Sequence, residues 1–218
     1  NIVSKHNVLK VELKEKGVSN LKPRRIWFDE TVLKLNLDER GRLLGAFRGE
    51  DKLLIINAKG ESRTVTPQME LHFDQVPEIL ERWVNNKPIT AVYYDPEKAR
   101  YFIKRFLIEN ENKEDNFVKE GGELIHVGTE WRPVLEIEFV KPRGADQLPN
   151  KVINVEEFIS VKGYKAMGNQ LSDKKIKSIR LKESLPYEVE AEEAIEEIEV
   201  NQPEALEEGD APQTKLDF

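Results

Sequence analysis

The side chains in this sequence best able to do chemistry are cationic. Val161–Leu181, VKGYKAMGNQLSDKKIKSIRL, holds Lys162, Lys165, Lys174, Lys175, Lys177 and Arg180. Smaller groups stand in KPRR (Lys22, Arg24 and Arg25), in DERGR (Arg40 and Arg42), at Arg48, in the pair Lys104–Arg105, and in KPR (Lys141 and Arg143). Ammonium and guanidinium groups in such numbers share one function, the neutralisation of a polyanion. Only Tyr164 interleaves with the lysines of the long stretch. Stacking on single-stranded bases is therefore the weaker expectation, and duplex backbone, with a charge every ~1.7 Å of axis, is the stronger one.

Other chemistries find little support. His6, His72 and His126 are the only histidines, and none has a second histidine at ligand spacing. His126, inside ELIHVG, reads as an ordinary strand residue. GRLLG and EGGE lack the lysine and hydroxyl of a phosphate-binding loop. Cysteine is absent, which excludes disulfides and thiolate metal sites. No nucleophile–base pair or paired carboxylates stand out, so no catalytic residue and no metal site is expected.

The charge is unevenly distributed. The chain carries a net −7, yet residues 183–218 alone hold 13 acids and one base, whereas residues 1–182 hold 33 bases and 28 acids. A mildly basic body thus carries an acidic tail. The tail contains three prolines and too little apolar surface for a core, and is expected to be disordered. No apolar run is long enough to cross a membrane as a helix. The first residues, NIVSKHNVLK, have no signal-like hydrophobic region and read as the cut edge of a longer polypeptide. The expected organisation is an incoming strand and linker over 1–22, a folded domain over 23–182 and the tail over 183–218.

Short strands must position the cations. VLKVELK and TVLKLNLD alternate apolar and polar residues with a period of two. RLLGAF, KLLIIN, SRTVT, ITAVYY, RYFIKRFLIE, ELIHVG, VLEIEFV, KVINV, EFISV and IKSIRL continue the series, separated by glycine-bearing turns that hold or flank most of the basic groups. VPEILERWV has apolar residues at helical spacing, and a short helix and a twisted strand both fit it. DKLLIINAKGESRTV, GELIHVGTEWRPVLEIEF and EEFISVKGYKAMGNQL share a strand–turn–strand pattern. That weak repetition predicts an all-β, propeller-like array of about three to four four-stranded blades. Blade edges aligned on one perimeter would gather the basic turns into a rim suited to a bent duplex.

RRIWFDETVLKLNLDERGRLLGAFRGEDKLLII, PITAVYYDPEKARYFIKRFLIE and VEEFISVKGYKAMGNQL closely resemble the C-terminal region of the DNA-cleaving subunit of bacterial DNA topoisomerase IV, a relative of the corresponding gyrase subunit. The resemblance covers roughly Val8–Leu181. It implies a β-pinwheel that binds and bends double-stranded DNA, and it favours the strand for VPEILERWV. It also implies a non-catalytic part of an ATP-dependent type II topoisomerase, an isomerase working in chromosome segregation. The implied partners are duplex DNA, the rest of the DNA-cleaving subunit and the ATPase subunit, joined in an A2B2 complex. ATP and Mg2+ would serve the complete enzyme, with no cofactor in this domain. The implied location is the bacterial cytoplasm, at the nucleoid. KGYKAMGNQ departs from the gyrase box QRRGGKG, lacking its arginine pair and double glycine, which puts gyrase-like wrapping in doubt. A propeller that binds acidic proteins is the alternative. QTKLDF offers Gln213, Leu216 and Phe218 for a sliding clamp.

Overall fold

A computed structural model of the chain describes residues 22–111, 113–144 and 146–186. The expected strand VLKVELK, the acidic tail beyond Pro186 and the QTKLDF segment lie outside the described residues.

The fold is all-β and pinwheel-like, built from four antiparallel sheets. The strands are β1 (Arg24–Asp29), β2 (Lys34–Asn36), β3 (Arg42–Phe47), β4 (Leu53–Ile56), β5 (Glu61–Val65), β6 (Ile79–Arg82) and β7 (Ile89–Asp95). They continue as β8 (Arg100–Phe106), β9 (Asp115–Asn116), β10 (Glu123–Gly128), β11 (Val134–Phe139), β12 (Lys151–Asn154), β13 (Asn169–Ser172) and β14 (Ile176–Leu181). In spatial order the sheets run β2-β1-β3, β6-β4-β5-β9, β10-β7-β8-β13 and β12-β11-β14. Two sheets therefore have four strands and two have three. VPEILERWV forms a strand, β6.

One rule generates every sheet. A hairpin (β1–β2, β4–β5, β7–β8 or β11–β12) is followed by a third strand that pairs with the hairpin's first. In the second, third and fourth units the chain makes an excursion between hairpin and third strand, back to the preceding sheet. There β9 pairs with β5 and β13 with β8, and in the first sheet the excursion shrinks to a single bridge, Lys34 to His72. Each of the first three sheets is thus stapled by the unit that follows it.

Packing follows from the same rule. Three clusters of buried apolar residues lie between successive sheets. All of β4 is buried, Leu53 and Ile55 packing with the first sheet and Leu54 and Ile56 with the third. Among the described residues no buried cluster joins the fourth sheet to the first. Each fully buried Leu, Ile or Phe contributes roughly 1.5–3 kcal/mol, so these seams hold the array together.

The turns repeat as well. Asn36 accepts from the backbone N–H of Asp38 and of Arg40, each at 3.1 Å. Asn57 does the same for Lys59 at 2.9 Å and Glu61 at 3.1 Å. An Asn leaving a strand thereby closes the next turn. EFISV, expected as a strand, is instead the end of a short helix, α1 (Val155–Phe158), and irregular chain after it. Asn154 caps α1 by accepting from Glu156 N–H at 3.2 Å, and the two glutamates that follow favour a helix start.

Candidate nucleic-acid interface

Two groups of exposed cations are brought together by strand pairing. Arg24 stands opposite Phe47 and Arg25 opposite Ala46, so Lys22, Arg24, Arg25 and Arg48 share one end of the first sheet. In the fourth sheet Val140 N–H donates to Lys175 O at 2.9 Å. That contact sets the β11–β12 connection, with Lys141 and Arg143, beside the β13–β14 turn, with Lys174 and Lys175. Lys174 lies 3.6 Å from Asp173, whereas Lys22, Arg24, Lys141, Arg143 and Lys175 have no carboxylate partner among the described residues.

Other expected contacts are already engaged. Lys177 and Arg180 stand on β14, not in a turn, and both reach Glu138 on β11, at 2.6 and 3.4 Å. Those partners, Lys177 first and then Ser178, hold the Glu138 carboxyl below the usual range. Arg42 lies 3.8 Å from Glu30 and donates to Leu80 O, and Arg40 lies 3.3 Å from Asp38. Lys165 pairs with Asp115, and Lys162 donates to Asn169 Oδ1 at 2.9 Å. Exposed pairs of this kind cost little to break, so these cations remain reachable but pre-engaged.

Lys104 and Arg105 do not belong to any exposed set. Both lie mid-strand in β8, 2% and 6% exposed. β8 sits between two sheets, so its odd and even positions are both covered. Lys104 shares the side of Phe102 and Phe106, facing the second sheet. Its Nζ donates to Phe117 O at 2.9 Å and Tyr164 O at 2.7 Å, among the rings of Phe106, Phe117 and Tyr164. Arg105 faces the other way and donates to Trp131 O at 2.5 Å. Burial pushes the Lys104 ammonium down to about 8, with Lys165 adding to the shift and Glu109 opposing it. Arg105 is pushed down by burial too, against the pull of Glu156.

Tyr164 is likewise unavailable for stacking. It is buried, its hydroxyl lies 2.8 Å from Ser62 Oγ and donates to Asp115 O at 2.8 Å, and burial raises it to about 12. His126 is the strand residue it was expected to be, paired with Val92 in β10, and burial lowers its pKa. Among the described residues no three His, Asp or Glu side chains are grouped to hold a metal ion.

Sequence reasoning passed over Lys98 and Arg100. Lys98 stands in the β7–β8 turn and Arg100 opens β8, beside the excursion that carries β13. The available signal was DPEKAR between two apolar strands, masked by its own Asp95 and Glu97.

No curated protein matches the chain. The profile of the topoisomerase C-terminal domain of Bacteroidota matches residues 34–184, more than two thirds of the sequence and every strand but β1. By fold and by this match, the chain belongs to the topoisomerase C-terminal domain family of Bacteroidota.

Proposed function

We propose that this domain is the duplex-DNA-binding part of the DNA-cleaving subunit of a topoisomerase IV, holding and bending one duplex segment for the complete enzyme. The carrying observation is the group Lys141, Arg143, Lys174 and Lys175, which strand pairing gathers at one end of the fourth sheet. Lys22, Arg24, Arg25 and Arg48 form a second basic end in the first sheet. Contacts of this type are made to phosphate, so binding is salt-sensitive and nearly independent of sequence. The chemistry of strand passage, with its ATP and Mg2+, lies with the rest of the DNA-cleaving subunit and with its ATPase partner, at the nucleoid in the cytoplasm.

Mobility shift of unrelated duplexes tests this. Affinity should fall roughly 10³-fold or more between 50 and 200 mM salt if six or more phosphates are neutralised, and differ only a few-fold between sequences. A strong preference for one sequence, or retention of acidic proteins but not of DNA, would replace the reading with a protein-binding one.

Residues 187–218 hold 12 acids and one lysine. Tethered to a basic body, they compete with DNA at an effective concentration on the order of millimolar, until salt screens the attraction beyond ~8–10 Å. Deleting them should tighten duplex binding severalfold at ~50 mM salt and change nothing at ~300 mM. Unchanged binding at the lower salt would make the tail inert toward DNA. The clamp contact proposed for Gln213, Leu216 and Phe218 would be lost in the same deletion, which a pull-down with a sliding clamp would read separately.

A further inference from the structure

We propose that Lys98 and Arg100 form a separate phosphate-contact site for duplex DNA, at the junction of the third and fourth units. The proposal rests on the DNA-binding reading above. The two side chains open on a shallow cavity of about 490 Å³, walled by Phe102, Met167, Gly168 and Gln170. One wall belongs to the β7–β8 hairpin, and the other to the excursion that brings β13 to β8.

Two features make this an anion site. The acids of the turn are used elsewhere: Asp95 Oδ1 accepts from the backbone N–H of Glu97 and Lys98, and both Asp95 and Glu97 face Lys119. Lys98 and Arg100 are left without a carboxylate partner among the described residues. Their heads rest on neutral acceptors instead. Lys98 Nζ lies 2.8 Å from Met167 Sδ, and Arg100 Nη1 donates to Gln170 Oε1 at 2.7 Å. A thioether is a weak acceptor and an amide oxygen a neutral one. A phosphate oxygen reached by both cations makes charge-assisted bonds that are stronger.

The wall is also fixed before any ligand arrives. Tyr93 OH donates to Met167 O at 2.8 Å. Gly168 has φ +87°, and a Cβ there would lie 2.1 Å from Ile103 O, so only glycine lets the excursion approach β8 this closely. Phe102 is buried, so the cavity offers no exposed ring for a base. Backbone phosphate is therefore the ligand, and the probe is a duplex of mixed sequence.

The test compares the full chain with its Lys98→Ala/Arg100→Ala variant by mobility shift across ~50–200 mM salt. One neutralised phosphate accounts for up to about eightfold in affinity near 0.1 M salt. The double variant should bind up to roughly eightfold more weakly near 0.1 M salt, with the slope of log K against log salt reduced by about 1. The swap Lys98→Arg/Arg100→Lys should retain most of the slope. Wild-type affinity and slope in the alanine variant would overturn the site while leaving the DNA reading intact. Equal losses in the alanine and swapped variants would overturn it too, since charge would not be the cause. Failure of the unaltered chain to bind duplex would remove the DNA reading, and this site with it.

Discussion

Replacing Lys141, Arg143, Lys174 and Lys175 together with alanine should weaken duplex binding roughly 60- to 1,000-fold near 0.1 M salt and flatten the salt slope by about 2–4. The lower figure corresponds to two lost phosphate contacts and the upper to about three or four. Stability should stay within about 0.5 kcal/mol of the parent, because these are exposed surface positions. Lys177 and Arg180 provide the internal comparison. Both are already committed to Glu138, so their joint replacement should cost much less affinity than the quadruple change. An equal loss of log affinity per cation removed in the two variants would mean that total charge, and not the grouping at the end of the fourth sheet, governs binding.

That contrast was only half legible in the sequence. The six cations of Val161–Leu181 look like one patch, yet the fold disperses them. Lys162 and Lys165 ride the excursion toward the preceding sheets, Lys174 and Lys175 turn the corner, and Lys177 and Arg180 lie along β14 against Glu138. Whether a lysine faces a glutamate or solvent is decided by register between strands far apart in sequence. Glu138 lies opposite Ser178, one residue from Lys177. Nothing local encodes that pairing.

Strands with clear alternation or an unbroken apolar run were readable, as in β4, β7 and β11. The excursions were not, because β9 and β13 are short and polar and owe their strand form to the edges they pair with. The misplacement of Lys104 and Arg105 has a more instructive cause. A Lys–Arg pair suggests surface, but Tyr101, Phe102 and Ile103 directly before it are three consecutive apolar residues, and Phe106 follows. Both parities are apolar, which marks a strand covered on both faces. Neighbouring cations in such a strand must both be inside.

Lys104 should therefore govern stability, and do so with a pH signature. Its Nζ ties β8 to Phe117, whose N–H reaches Gly60 in the second sheet's β4–β5 turn, and to Tyr164, on the excursion from the fourth unit. Three sheets meet at one ammonium. A lysine lowered from 10.5 to about 8 is penalised in the folded state by roughly 3 kcal/mol when charged. Between pH 8 and 10.5 the unfolded chain binds more protons than the folded one, so stability rises with pH across that window. Tyr93 and Tyr164, both raised to about 12, act oppositely, and above pH 10 their contribution is progressively lost. The Lys104→Met variant keeps most of the volume, leaves two carbonyls without a donor and removes the titration. Near pH 7 the orphaned carbonyls cost about 1–3 kcal/mol each, set against the relieved charge penalty. The net change there is small. By pH 10 most of the charge penalty is gone, so parent and variant should diverge by roughly 2.5 kcal/mol in the parent's favour between pH 7 and 10. The tyrosines are common to both proteins and cancel in the difference. Urea midpoints measured for the pair from pH 7 to 10 give that difference directly. A constant gap over the range would show that Lys104 keeps an ordinary lysine's proton affinity despite its burial.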